Sequence, residues 1–396
     1  MLFDCLAAQT PDPLLSLIGE FARDGRADKL DLSVGVYRDD EGRTPVMQAV
    51  KQAEQRLVDG QASKSYLGPD GDRGFAEAIT DLVLGAQAGS RARAMQTVGG
   101  TGALGLAAGL LAAAGGPRTI WLATPTWSNH VPVFAAAGLA IRTYAHVDPA
   151  TGGFALDAFL AAAEQAQPGD AFLLQACGHN PTGVDPDPEA WETIGRTLAR
   201  KRLIPLLDDA YQGFGEGLEE DAQGLRTVLA EVPEALVAVS CNKSFGLYRD
   251  RGGALVCCGH DAAALEVAMA NARTIARSSY SMPPDHGAAV VRTILEDRAL
   301  TQLWRDELAR MRHRLRATRR ALGARLAAND PRLGAIAGQH GMFCLLPIDA
   351  AQVARLRSQF AIFIAPDGRV NLAALPLHRV DAFAEALGDV TARVTT

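Results

Sequence analysis

From about residue 95 to residue 260 this 396-residue chain alternates short, continuous apolar runs with stretches of helical periodicity. The runs are Thr119–Ala123, Ala140–Tyr144, Ala171–Cys177, Leu203–Leu207, Leu236–Ser240 and Ala254–Cys258. A strand that is apolar throughout must be covered on both faces, so the pattern predicts a largely parallel sheet with helices packed on each side. Such sheets bind ligands beyond the carboxyl ends of their strands, which is where functional residues are to be sought. After residue 296 the pattern changes. Leu308, Met311, Leu315, Leu322 and Leu326 recur at helical spacing through an arginine-rich stretch ending near Asn329. This reads as one long amphipathic helix whose arginines form a solvated face. The runs Gly341–Leu346, Ala361–Ile364 and Arg369–Leu372, followed by a last helix, suggest a smaller α+β unit. The residues before about 45 are expected to pack with it.

Composition narrows the function classes. A formal net charge of -6 argues against a nucleic-acid partner, which calls for a strongly basic domain. Only five lysines occur (Lys29, Lys51, Lys64, Lys201 and Lys243), so candidate amine nucleophiles are few. The six cysteines show no C-x-x-C and no paired metal spacing, which reads as free thiols in a reducing cytosol with no metal site. The start, MLFDCLAAQTPDP, lacks the basic and apolar regions of a signal peptide, and no apolar run is long enough to cross a membrane. The expected location is cytoplasmic.

Gly99-Gly100-Thr101-Gly102 opens an Ala/Leu helix, whose exposed N–H groups and positive dipole end suit an anion. Gly100, Gly102 and Gly105 also match the dinucleotide fingerprint literally. That fingerprint needs an acidic residue about 20 positions on to hold the ribose, and no Asp or Glu occurs between Gly99 and Val147. A phosphate without a ribose fits better, beside the plainer reading of a turn rich in glycine for close helix packing.

Three further strand ends carry polar residues. Leu203–Leu207 runs into Asp208, Asp209, Ala210 and Tyr211, where a carboxylate can meet a protonated ring nitrogen and a phenol the same ligand. Ala171–Cys177 runs into Gly178-His179-Asn180-Pro181-Thr182-Gly183, a turn because Pro and Gly break helices. Leu236–Ser240 leads to Lys243, the one lysine just beyond a buried strand, where desolvation favours the neutral amine that forms a Schiff base. Arg251, eight residues later, offers a planar fork to a phosphate. Each piece alone has a structural reading: a snorkelling lysine, a helix-capping aspartate, a surface ion pair. Together they supply the parts of a pyridoxal-phosphate site.

At these residues the chain resembles the aspartate and aromatic amino-acid aminotransferases, from Asp12-Pro13 to its end. The likeness is carried by Gly35-Val36-Tyr37, Ser65-Tyr66-Leu67-Gly68, Gly99-Gly100-Thr101-Gly102, Thr126-Trp127-Ser128-Asn129-His130 and His179-Asn180-Pro181-Thr182-Gly183. Ala210-Tyr211-Gln212-Gly213-Phe214, Lys243-Ser244-Phe245-Gly246-Leu247-Tyr248 and Gly368-Arg369-Val370-Asn371 extend it. The resemblance implies an α/β, type I pyridoxal-phosphate transferase fold: a large domain of mostly parallel sheet covered by helices plus a smaller α+β domain. It implies an N-terminal arm over 1–12, a small domain from 13–45 and 311–396, and a large cofactor-binding domain over 46–310. Lys243 would form the Schiff base with pyridoxal 5'-phosphate and shuttle the proton. Asp208 would keep the ring nitrogen protonated, with His130 behind it. Asn180 and Tyr211 would bond the ring oxygen, and Trp127 would stack on the ring. Gly100, Thr101, Ser240 and Arg251 would hold the phosphate. Arg369 would bind the substrate α-carboxylate, with Gly35 nearby. Tyr66 and Arg277 would reach in from a second subunit, which implies a homodimer with shared active sites.

The implied function is transfer of the amino group of aromatic amino acids, and of aspartate, to 2-oxoglutarate by a ping-pong mechanism. The residues leave open a strict aspartate aminotransferase, another pyridoxal-phosphate reaction such as β-elimination or decarboxylation, and a catalytically silent binding protein. Four departures from the family pattern stand out. Gln175 replaces a common histidine, Asp209 an apolar residue beside Asp208, Asn242 and Ser244 the usual Ser and Asn around Lys243, and Met282 an Asn or Ser. The Asp209 and Asn242 changes are expected to shift proton affinity at Lys243, and Met282 to reshape the substrate pocket.

Overall fold

The computed structural model describes residues 2–7, 13–85, 89–115, 118–328 and 331–392. Residues 1 and 8–12 of the expected arm, Asp12 among them, lie outside the described residues, as does Asn329. Numbered along the chain, the strands are β1 Leu30–Asp31, β2 Ala92–Val98, β3 Thr119–Thr124, β4 Ala140–Ala145, β5 Ala171–Gln175, β6 Ile204–Asp209, β7 Glu234–Ser240, β8 Gly252–Gly259, β9 Phe343–Leu345, β10 Ile362–Phe363 and β11 Arg369–Asn371. Seven of them form one sheet in the order β2-β8-β7-β6-β5-β3-β4. Strand β8 runs antiparallel to both neighbours, and the other pairings are parallel. The reversal has a local cause: the link 241–251 is too short to carry a crossover helix, so the chain can only turn back beside β7.

Both faces of this sheet are buried, as the continuous apolar runs require. On one face Leu206, Leu255 and Cys257 pack with Leu104, Ala107 and Ala108 of the helix Gly99–Ala113 and with Met269 and Ala272 of the helix Ala262–Ser279. On the other, Leu207, Val256 and Cys258 pack with Phe75, Ile79, Ile194 and Val228. Successive residues therefore point to opposite cores, the strand's period of two made visible.

The smaller unit is built from both ends of the chain. β1 pairs in parallel with β10, Leu30 opposite Ile362, and β11 pairs antiparallel with β9, Arg369 opposite Leu345. The helix Arg298–Ala327 runs unbroken through 310–311, the position expected to divide large from small. Its arginines are not simply a solvated face. Arg319 is 2% exposed and donates to the carbonyls of Ile336, His340, Gly341 and Phe343 and to Gln339 Oε1. Arg314 bonds Tyr37 Oη and the carbonyls of Arg38, Ala373 and Leu375. The smaller unit wraps this side of the helix, and its loop carbonyls need donors that water cannot supply there.

Two buried imidazoles bear on stability. His146 and His179 stack with ring centroids 3.4 Å apart and planes 11° apart. His146 Nε2 donates to the Val184 carbonyl at 2.8 Å, and His179 Nδ1 lies 2.9 Å from Thr182 Oγ1. Burial pushes His146 down to about 4 and His179 well below the usual imidazole range. The folded protein thus keeps both rings neutral, while the unfolded chain takes up protons below pH ~6.5. The sign follows: stability is level above that pH and declines as pH falls from ~6.5 towards 4. His146 alone should remove about 2 kcal/mol between pH 7.5 and pH 5. Urea unfolding at the two pH values should show a smaller drop for His146→Phe than for the wild type. Equal drops would refute the account.

Candidate active site

The carboxyl ends of β3, β5, β6 and β7 open on one side of the sheet, and polar residues gather there. Gly100, Thr101, Trp127, Asp208, Tyr211, Ser240, Lys243 and Arg251 all line one cavity of about 160 Å³. Lys243 follows β7 in a tight turn, where the Gly246 N–H donates to its carbonyl and Gly246 takes φ +66°. The amine lies 5.2 Å from the centre of the Tyr211 ring. Loss of hydration pulls Lys243 down to about 8 against the opposing pull of Asp208, with Arg251 and Arg369 adding to the fall. A lysine so placed yields its proton far more readily than one in water.

Asp208 is the penultimate residue of β6, on the side of the helix Gly99–Ala113. Its Oδ2 lies 3.1 Å from Nε2 of the fully buried His130, whose Nδ1 lies 2.8 Å from Thr126 Oγ1. With the threonine hydroxyl donating to Nδ1, the ring is left to donate from Nε2 to the carboxylate. The Trp127 and His130 rings lie nearly perpendicular, their centroids 5.2 Å apart. Behind this group, Asn180 Nδ2 donates to Tyr211 Oη at 3.1 Å, and Arg369 Nη1 donates to Asn180 Oδ1 at 3.2 Å. Burial, with Asp208 near, raises the Tyr211 phenol above its ordinary range, so it is a neutral hydroxyl. Arg369 also donates to the Ser33 carbonyl and lies 4.7 Å over the Phe343 ring. Gly35 is close by: a Cβ there would come within 3.0 Å of Phe343 Cζ.

The glycine-rich turn is shaped to suit an anion. Gly99 takes φ +64°, a conformation that favours glycine, and its N–H donates to the Arg251 carbonyl at 2.6 Å. A Cβ on Gly99 would come within 2.9 Å of Arg251 Nη2, and one on Gly100 within 2.9 Å of Ser240 Cβ. Free N–H groups of the helix's first turn, the Ser240 hydroxyl and a guanidinium therefore share one space.

Two expected site residues stand apart. Tyr66 is 92% exposed, and Arg277 is exposed and bonded to Ser281 Oγ. Neither lines the cavity. The Leu67 N–H donates to Met282 Sδ at 3.1 Å, so the Tyr66 loop and the Arg277 segment meet on one surface. Other residues have parts that sequence did not assign. Gln175 accepts from the Asn180 N–H and donates to the Asn180 carbonyl, each at 2.9 Å, and so fixes the turn that carries Asn180. Asp185 accepts from the N–H groups of Gly178 and His179. A carboxylate two residues past Gly183 was a visible signal for such a turn; the role of Gln175 depends on a fold-back that no local pattern reports. A cavity of about 420 Å³ at the other end of the sheet is lined largely by Leu, Ala and Ile side chains and has no lysine. Chemistry, not size, picks out the site.

Residues 27–387 match the family described as "Aminotransferase class I and II". A tyrosine aminotransferase of Rhizobium meliloti (strain 1021) is 50% identical over 94% of this chain and 96% of that protein. An aspartate aminotransferase of Escherichia coli (strain K12) is 40% identical over 98% of this chain and 99% of its own. Among solved structures, an aromatic-amino-acid aminotransferase from Burkholderia pseudomallei, described as covalently bound to pyridoxal phosphate, superposes with a TM-score of 0.94 at 36% identity, covering 98% of this chain and 99% of that one. The agreement of fold, site chemistry and near full-length likeness shows that this chain is an enzyme of the class I and II aminotransferase family.

Proposed function

We propose that this enzyme moves the amino group of aromatic amino acids, and of aspartate, to 2-oxoglutarate by a ping-pong cycle, with pyridoxal phosphate as cofactor. The observation that carries the reading is one cavity holding the desolvated amine of Lys243, the Asp208 carboxylate braced by buried His130, and the glycine cradle beside Arg251. The residues present fit the cofactor: an amine for its aldehyde, an anion for its ring nitrogen, and a phosphate cradle in space that a Cβ on Gly100 would fill. When bound, pyridoxal phosphate supplies an electron-poor ring that accepts the electron pair left as the substrate Cα–H bond breaks.

The chain's residues do the rest. Lys243 takes the proton from the substrate Cα at Nζ and later returns one, which its lowered proton affinity favours. Asp208 holds the proton on the ring nitrogen, and His130 keeps the carboxylate oriented. Asn180 and Tyr211 would bond the ring oxygen, Trp127 would stack on the ring, and Gly100, Thr101, Ser240 and Arg251 would hold the phosphate. Arg369 takes the substrate α-carboxylate as a bidentate pair, with Gly35 leaving it room. Tyr66 and Arg277, exposed and away from the cavity, serve it from a second copy, so the working unit is a homodimer. Both aromatic and aspartate relatives support a dual substrate range, the tyrosine enzyme at higher identity. A cytoplasmic setting accords with six free thiols. Among the described residues no helix is long and apolar enough to cross a membrane.

Lys243→Ala should lower kcat by roughly a thousandfold or more without loss of the folded circular-dichroism spectrum. Borohydride reduction of the loaded enzyme, followed by peptide mapping, should place the label on Lys243; a label on any of the other four lysines would overturn the reading. Arg277→Leu should cut kcat/KM for aspartate by about a hundredfold, the loss of one charge-assisted bidentate pair, while phenylalanine stays within about tenfold of wild type. Equal losses would refute the role given to Arg277.

A further inference from the structure

Asp209 sits next to Asp208 on β6, so the two carboxyls point to opposite faces of the sheet. Asp208 faces the cavity; Asp209, 3% exposed, faces the other core. Its surroundings are poor in compensating charge. Cys177 and Cys241 lie near it as buried thiols. Asp221, whose charge also acts on Asp209, is already saturated by the N–H groups of Gly213, Gly215 and Glu216, each at 2.8 Å. Arg226 is the nearby cation, and its guanidinium is committed to the carbonyls of Leu82 and Val83 and to Glu219. Asp209 receives the Gln212 N–H, but Oδ1 has no hydrogen-bond partner and no ion pair to Asp209 is found among the described residues.

A carboxylate buried between two other acids with no cation of its own is costly, and the usual escape is to keep the proton. Burial first, then the charges of Asp208 and Asp221, push Asp209 up to about 7. Nothing in the reaction outlined above uses this group. We propose that Asp209 is a positioning residue for the reaction: an uncharged carboxyl behind Asp208 that, on ionising, adds a second negative charge behind the Asp208 carboxylate and, through it, tightens proton retention at Lys243. The inference rests on the pyridoxal-phosphate reading of the site.

The titration is coupled in both directions. Loss of the proton at the lysine–cofactor link makes Asp209 harder to ionise, and ionised Asp209 makes that proton harder to lose. Absorbance of the loaded enzyme should therefore follow pH more shallowly than a one-proton curve. Asp209→Asn, of nearly the same shape but unable to ionise, should give a one-proton curve with its midpoint about 0.5 unit lower. Superimposable curves would overturn the proposal. A second measurement is independent of the cofactor. Infrared spectra of the cofactor-free protein at pH 6 should contain a protonated-carboxyl band that Asp209→Asn removes; a band unchanged by the substitution would equally overturn it. Failure of the wild type to bind pyridoxal phosphate at all would instead sink the reading of the site, and the infrared result would still decide the state of Asp209.

Discussion

A lysine amine can attack or accept a proton only when it is uncharged, and in water it is charged. Everything around Lys243 works on that constraint. The turn after β7 takes the amine out of solvent and over the Tyr211 ring, and two arginines, Arg251 and Arg369, press the same way electrostatically. Asp208 pulls in the opposite direction. The balance leaves a base within reach of neutral pH rather than one locked in either state. Since burial is the leading cause, the property belongs to the packed site and not to the lysine.

That packing draws on both parts of the molecule. Arg369 comes from β11 in the smaller unit, yet it bonds Asn180 on the loop after β5, which in turn bonds Tyr211 after β6. Gly178 and Gly341 show how near the two parts lie: a Cβ on Gly178 would come within 2.9 Å of Gly341 Cα, and both residues have positive φ. Arg319 gathers the carbonyls of 336–343 onto the long helix and fixes the segment that meets Gly178. A carboxylate bound in the way proposed for Arg369 would thereby be referred to the same frame as Tyr211 and Lys243. Positioning of this kind is what a reaction with little freedom for misalignment requires.

The carboxyls repeat the theme that neighbours, not residue type, decide behaviour. Asp208 has an imidazole at its back and Asp221 a nest of backbone N–H groups. Asp209, between them in environment, has one N–H and, among the described residues, no ion pair, the nearby Arg226 being committed to other partners. Three aspartates within fourteen residues of sequence thus receive three different treatments, and only the one whose face of β6 meets the cavity lines it.

Much of this was legible in the chain itself. Apolar runs such as Leu203–Leu207 can be stable only between two helical layers, so the sheet, its ligand-binding end, and the candidacy of Lys243 and Asp208 at that end follow from local pattern. Direction and order did not follow: that β8 runs backwards, or that β1 joins β10 across most of the chain, depends on which distant segments meet. The arginines of the long helix show the same limit, because periodicity marks which residues share a face but not what will cover it. Amino-acid order by itself determined the elements, the buried faces and the chemical parts. Tertiary structure alone decided how tightly Lys243 is desolvated, what Gln175 and Arg319 hold, and that Tyr66 and Arg277 lie apart from the cavity. Those outcomes are set by contacts between residues far apart in the chain, and no local rule of spacing encodes them.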